Sequence, residues 1–129
     1  MTFITTFYAI PLAFIYLILT ARVIIFRRKN KIGLGDDGNK GLMKRMRAQS
    51  NFVETVPLAL ILLILIELNG QSHILVHVLG AMLLAGRVVH AVGFSARPPK
   101  MRWRSAGMLL TLSAIFIAAW ALLLGLFIS

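Results

Sequence analysis

The chain of 129 residues is 59% hydrophobic and carries fourteen Lys and Arg against four Asp and Glu, for a formal net charge of +10. So few polar residues cannot cover a water-soluble core, which excludes an ordinary soluble domain and points to an integral membrane protein. The lack of cysteine excludes disulfides, thiolate metal sites and a cysteine nucleophile, and the clustering of the cations in two stretches suits a membrane surface and not nucleic acid.

The first apolar run, about residues 3–26, is about 36 Å long as a helix, enough to cross a ~30 Å hydrocarbon core. It has no basic leader and no small-residue cleavage site, so it reads as a retained span and not a signal peptide. Arg22, about a turn from its end, either snorkels to the headgroups or turns inward. The connection that follows holds Arg27, Arg28, Lys29, Lys31, Lys40, Lys44 and Arg45. Its stretch GLGDDGNKG has neither the lysine spacing of a phosphate loop nor the ligand series of a calcium loop, and is expected to be a solvated turn. The second span covers about 45–68 and the third about 72–94; only Asn69-Gly-Gln-Ser72 separates them, so they must be antiparallel neighbours. A second basic connection, with Arg97, Lys100, Arg102 and Arg104, leads to a fourth span at about 105–128. The expected fold is all-α, a single four-helix transmembrane bundle over residues 1–129. The positive-inside rule puts loops 27–47 and 95–104 in the cytoplasm and both termini on the opposite side.

Polar residues within the spans carry the functional signal. About 20 residues are needed to cross, so the second span must include much of RAQSNFVETVP, Arg47 to Pro57. With Arg47 set at zero on a helical wheel, Asn51 and Glu54 fall at about 40° and about 340°, on one stripe, while Gln49 points away at about 200°. Pro57 removes a backbone donor within a turn of Glu54. The third span repeats the pattern in LLAGRVVHAVGF, where Arg87, His90, Ala91 and Phe94 share a face and Gly86 and Gly93 line another that admits a close neighbour. Ionisable residues at such depth are costly and mark functional sites by default. One account is a structural ion-pair network of Arg47, Glu54 and Arg87 with Asn51 as an interhelical hydrogen bond. The other is an anion site, because Arg22, Arg47 and Arg87 face a single nearby acid. His73 and His77, with Glu67 across the turn, imitate a metal site, but no third ligand of suitable spacing is evident; an outer polar cluster without metal is expected.

RAQSNFVETVP resembles the Arg-Ala-Gln-x-Asn-x-x-Glu-x-x-Pro signature of the MAPEG superfamily, membrane-associated proteins in eicosanoid and glutathione metabolism. GRVVH and the four-span length agree with it, and stretches such as NGQSHILVHVLGAMLLAGRVVHAVGF and RWRSAGM are most similar to its small bacterial inner-membrane branch. The resemblance implies a homotrimer with glutathione held between neighbouring subunits in the cytoplasmic half of the bilayer. It carries ligand-binding roles to Arg47, Asn51 and Glu54, adds Gln49 from the same signature and Arg22 from the end of the first span, and sets His90 and Phe94 where several relatives have tyrosines. In catalytic members an arginine after the third span stabilises the glutathione thiolate, which attacks a lipophilic electrophile. Arg104 and Arg102 are the candidates, Arg104 first. Thr55 and Phe94 depart from tyrosines common in relatives, and some relatives only bind and present a lipid. A membrane-embedded transferase or peroxidase is therefore expected, with a non-catalytic lipid-binding or scaffold protein as the alternative. A four-span drug exporter ranks last, since the first span has no acidic coupling residue.

Overall fold

The computed structural model describes residues 3–128. Four helices follow one another: α1, Ile4–Asn30; α2, Lys40–Leu68; α3, His73–Ser95; α4, Met101–Ile128. Each is long and apolar enough to cross a membrane, as expected for a spanning chain, in which only helices or closed barrels satisfy the backbone within lipid. Three of the helices run past the apolar stretches at the basic end. α1 continues to Asn30 and closes on Lys31 in the left-handed region, φ 57°. α2 starts at Lys40 because the Asn39 side chain caps it, accepting from the Leu42 N–H at 3.0 Å. α4 starts at Met101. Pro11 and Pro57 lie inside unbroken helices.

α2 and α3 each touch the other three helices, whereas α1 and α4 lie apart. α2 buries Phe52, Val56, Ala59, Leu63 and Ile66, and α3 buries Val76, Leu79 and Leu83, both stripes at helical period. Large apolar side chains such as Phe14 and Leu17 of α1 and Phe116 and Leu126 of α4 face outward. Polar ties pin the alternating direction of the helices. At the end bearing the termini, the Glu67 carboxylate of α2 accepts from the Thr5 N–H at 2.9 Å, from the Thr5 hydroxyl and from the Ile4 N–H. It thereby caps α1, where the helix dipole favours an anion. His77 pairs instead with the Tyr8 hydroxyl at 2.8 Å. At the basic end the Lys44 ammonium donates to the Ala96 carbonyl at 3.2 Å.

In lipid the hydrophobic effect does not drive helices together, so close van der Waals packing must. α4 accordingly buries a stripe of small residues, Gly107, Thr111, Ala114 and Ala118. Gly86 and Gly93 of α3 face it, as the sequence predicts: a Cβ on Gly86 would lie 2.8 Å from the Gly107 carbonyl oxygen, and one on Gly93 would lie 2.7 Å from the Arg104 amide nitrogen. A Cβ on Gly107 would come within 2.5 Å of the Gly86 carbonyl oxygen and 2.6 Å of the His90 amide nitrogen. Both are backbone atoms and cannot turn aside. Gly107→Ala should therefore destabilise the bundle by about 1–3 kcal/mol through overpacking, despite the ~1 kcal/mol that alanine gains in helix propensity. Gly33→Ala, in open space, should leave the midpoint of thermal unfolding in detergent nearly unchanged.

Candidate functional site

The site is organised around Arg87. Its place on the inward stripe of α3, one turn beyond Leu83, buries it to 2% exposure. Its guanidinium reaches two other helices: Nε donates to Thr111 Oγ1 of α4 at 3.1 Å, and Nη1 donates to Asn51 Oδ1 at 2.7 Å and to Thr55 Oγ1 at 3.3 Å, both of α2. The two threonines are oriented for this. Each hydroxyl spends its proton on a carbonyl one turn back in its own helix, Thr55 on Asn51 and Thr111 on Gly107, both at 2.9 Å. Their lone pairs are thus left to the arginine. The close approach of Gly86 to α4 brings Thr111 within range, its Oγ1 lying 2.9 Å from where a Gly86 Cβ would be.

These partners are neutral, so Arg87 does not form the ion-pair network with Arg47 and Glu54 that one of the two accounts offered. Asn51 alone keeps its expected part as an interhelical hydrogen bond. A guanidinium only donates, so the Asn51 oxygen must face it, and the amide NH2 is left as a free donor. Asn51 also lines a recess of about 220 Å³ at the basic end. Arg47, Ser50, Asn51 and Glu54 of α2, His90 and Phe94 of α3, and Arg104 and Ser105 of α4 line it, with Met101 and Met108. Arg47 and Glu54 are exposed within it. The Arg104 guanidinium lies 3.7 Å over the Phe94 ring, and the His90 and Phe94 rings are 4.9 Å apart. Arg104 Nε is buried without a hydrogen-bond partner. Gly93 permits this placement, because a side chain there would strike Arg104.

Six of the sequence candidates therefore converge: Arg47, Asn51, Glu54, His90, Phe94 and Arg104. Arg87 stands behind them as a support. The others lie elsewhere. Gln49 donates to Thr20 Oγ1 of α1 at 2.9 Å, in keeping with its separate face on the wheel. Arg22 donates to the Ser95 hydroxyl on the α1 side of α3. Arg102 is exposed, outside the recess lining. Ala91, expected beside His90, lines the groove between α1 and α3. The acceptor roles of Thr55 and Thr111 were not anticipated. The signal for Thr111 was its place as a lone hydroxyl in the small-residue stripe of α4.

Comparison with known proteins assigns the architecture. The sequence model described as "MAPEG family" matches residues 5–124. The chain belongs to the MAPEG family. It is similar to "Inner membrane protein YecN" from two strains of Escherichia coli, in each case 33% identical over 118 residues, 92% of this chain and 88% of the relative. No solved structure matches it significantly. Within this MAPEG protein, Arg87→Lys should cost about 1–3 kcal/mol. A single ammonium cannot serve α2 and α4 together as the fork does, and it leaves a buried acceptor unpaired. Thermal melting followed by circular dichroism measures the loss. Arg47→Lys, at an exposed position, should not shift the melt.

Proposed function

We propose that this MAPEG-family protein binds glutathione, or another small anionic thiol, in the recess at its basic end and delivers the sulfur to a lipophilic electrophile arriving from the bilayer. The observation that carries this reading is the convergence of Arg47, Asn51, Glu54, His90 and Arg104 on one opening, where two cations meet one acid and a third cation stands behind. An anion with carboxylates and an ammonium complements that pattern: arginines pair with carboxylates and Glu54 with the ammonium.

In this reading Arg104 is the residue that meets sulfur. A nearby cation favours the thiolate over the thiol. With a chlorinated nitrobenzene, the thiol gives up its proton, its sulfur bonds to the ring carbon and chloride leaves. With a lipid hydroperoxide, sulfur attacks the terminal oxygen and the O–O bond breaks; a second thiol then completes a disulfide, leaving an alcohol and water.

The recess of one chain is smaller than the ~300–1,000 Å³ usual for small-molecule sites, so a tripeptide would extend beyond it. A neighbouring copy, as in the homotrimer that the resemblance implies, would supply the missing wall. Arg22 and Gln49, on the α1 side of their own chain, would reach glutathione only in a neighbour's recess. By the positive-inside rule the recess faces the cytoplasm, and the similarity to YecN supports an inner-membrane location.

One observation favours the non-catalytic alternative of a lipid-binding or scaffold protein. Thr55 and Phe94 offer sulfur no phenolic hydroxyl, and the Thr55 proton is already spent on the Asn51 carbonyl. Calorimetric titration of glutathione into wild type, Arg47→Ala and Glu54→Ala tests binding. A loss of roughly tenfold or more is expected in each variant, as for removal of a charge-assisted bond of about 1.5–3 kcal/mol, and equal, negligible binding in all three would sink the proposal. Turnover with chloronitrobenzene and a lipid hydroperoxide then separates the two readings. Catalysis should fall by about two orders of magnitude in Arg104→Ala and little in Arg102→Ala; binding without any turnover assigns the scaffold role.

A further inference from the structure

The bonds from Arg87 to Thr111, Asn51 and Thr55 use only Nε and Nη1. Nη2 carries two more N–H donors, and among the described residues it meets one acceptor, the Met108 thioether of α4, at 4.0 Å. A thioether accepts weakly. In a side chain enclosed to 2% exposure, Nη2 is therefore left almost unsatisfied, which is costly away from water. Met108 itself is half-buried and lines the recess beside Met101, Arg104 and Ser105, residues that spacings of three and four place on one face of α4. A sulfur open to the recess thus lies against a buried guanidinium that lacks an acceptor.

Methionine thioethers are oxidised to sulfoxides, and an organic hydroperoxide is a sufficient oxidant. The sulfur attacks the terminal oxygen and the O–O bond breaks. The other oxygen leaves with the bonding pair and takes the hydroperoxide's own proton to become an alcohol. Sulfur loses two electrons and the peroxide gains them. Two features favour this step at Met108. Arg104, one turn earlier on the same face, and Arg87 behind it are cations beside the oxygen on which negative charge develops. The product also carries what Arg87 lacks, because an oxygen on Sδ is within reach of Nη2 across the 4.0 Å gap. A sulfoxide in an apolar core finds no donor and disrupts the packing; this one would be met by a charged donor.

We propose that Met108 is an oxidation site for organic hydroperoxides, and that its sulfoxide oxygen accepts from Arg87 Nη2, so that oxidation fastens α4 to α3 instead of loosening them. The inference shares with the proposed function only the entry of a hydroperoxide into the recess. It does not rest on glutathione, and its test contains no thiol. Its failure leaves the calorimetric result for glutathione standing, and the reverse holds equally.

Purified protein in detergent is exposed to cumene hydroperoxide, and sulfoxide at each methionine is followed by peptide mass spectrometry. Met43, 43% exposed and outside the recess lining, is the internal reference. Met108, although less exposed, should be oxidised at least about threefold faster, and Arg104→Gln should slow Met108 about tenfold or more without slowing Met43. Thermal melting followed by circular dichroism then reads the new bond. The change in midpoint on oxidation should be more positive in wild type than in Met108→Leu by about 3 °C or more. The leucine conserves volume and retains the other methionines, so their oxidation cancels in the comparison. If the leucine variant melts early, Met108→Gln carries the test: its side-chain carbonyl stands in for the sulfoxide and should raise the midpoint of the untreated protein by a similar amount. Oxidation of Met108 no faster than that of Met43 overturns the proposal, as does an undiminished rate in Arg104→Gln. A midpoint change in wild type equal to or below that of Met108→Leu overturns it too, and so does a glutamine variant that melts at or below the untreated wild type.

Discussion

The bundle depends on satisfying one buried cation. An ionised side chain at mid-membrane costs about 2.5–3.5 kcal/mol even on lenient scales, and Arg87 is almost wholly enclosed by protein. It is held by neutral groups alone: two hydroxyls and one amide oxygen, with the Met108 thioether 4.0 Å from Nη2, all supplied by α2 and α4. That solution places strict demands on its neighbours. α4 must come close enough for Thr111 to reach, which requires Gly86 and Gly107 at the crossing. Thr55 and Thr111 must turn their protons back into their own helices, and Asn51 must present its oxygen inward. Packing, hydrogen bonding and the orientation of a residue in the recess all follow from the same guanidinium.

The four acids show how little negative charge remains near the recess. Glu67 caps α1 at the far end, and Asp36 accepts from the Gly38 N–H within the first basic loop. Asp37 occupies a left-handed position in the same loop, φ 51°. Glu54 is thus the acid available to the recess, against Arg47 and Arg104 at its rim. On the α1 side, the two hollows that share Arg22 have no carboxylate in their lining. The excess of cations is therefore divided by the bundle into two separate faces, one polar and compact, the other leading into an apolar groove.

Much of this was legible in the sequence, because helical periodicity in a spanning segment has few alternatives. The stripe of Arg47, Asn51 and Glu54, the pairing of His90 with Phe94 and the close-packing role of Gly86 and Gly93 need only the angle per residue. A wheel does not say which neighbour a face meets. Ala91 and His90 lie about 100° apart on it, at the two edges of the expected face, and one faces α1 and the other α4, because the two helices flank α3 on either side. Arg22 shares the recess's depth and not its face, a distinction that depends on the order of helices around the bundle. The sequence ranks Arg104 before Arg102, and their different faces follow from both lying on α4, which starts at Met101. Thr55 was read for the phenol it lacks, whereas its contribution depends on a distance to another helix.

Had Arg87 been paired with Glu54, the two charges would have cancelled and the recess would have lost its only acid along with part of its positive potential. Anchoring by neutral groups has the opposite consequence. Hydroxyl and amide dipoles stabilise the guanidinium at short range, where desolvation is costly, but leave its net charge uncompensated at the longer range felt by a ligand. Glu54 remains exposed and able to take an ammonium, and Asn51 keeps its NH2 for an acceptor. The network that holds the helices together therefore also biases the recess toward an anion that carries its own cation. This is why a purely structural reading of Arg87 and a binding reading of the recess are not alternatives: the first establishes the electrostatic conditions for the second.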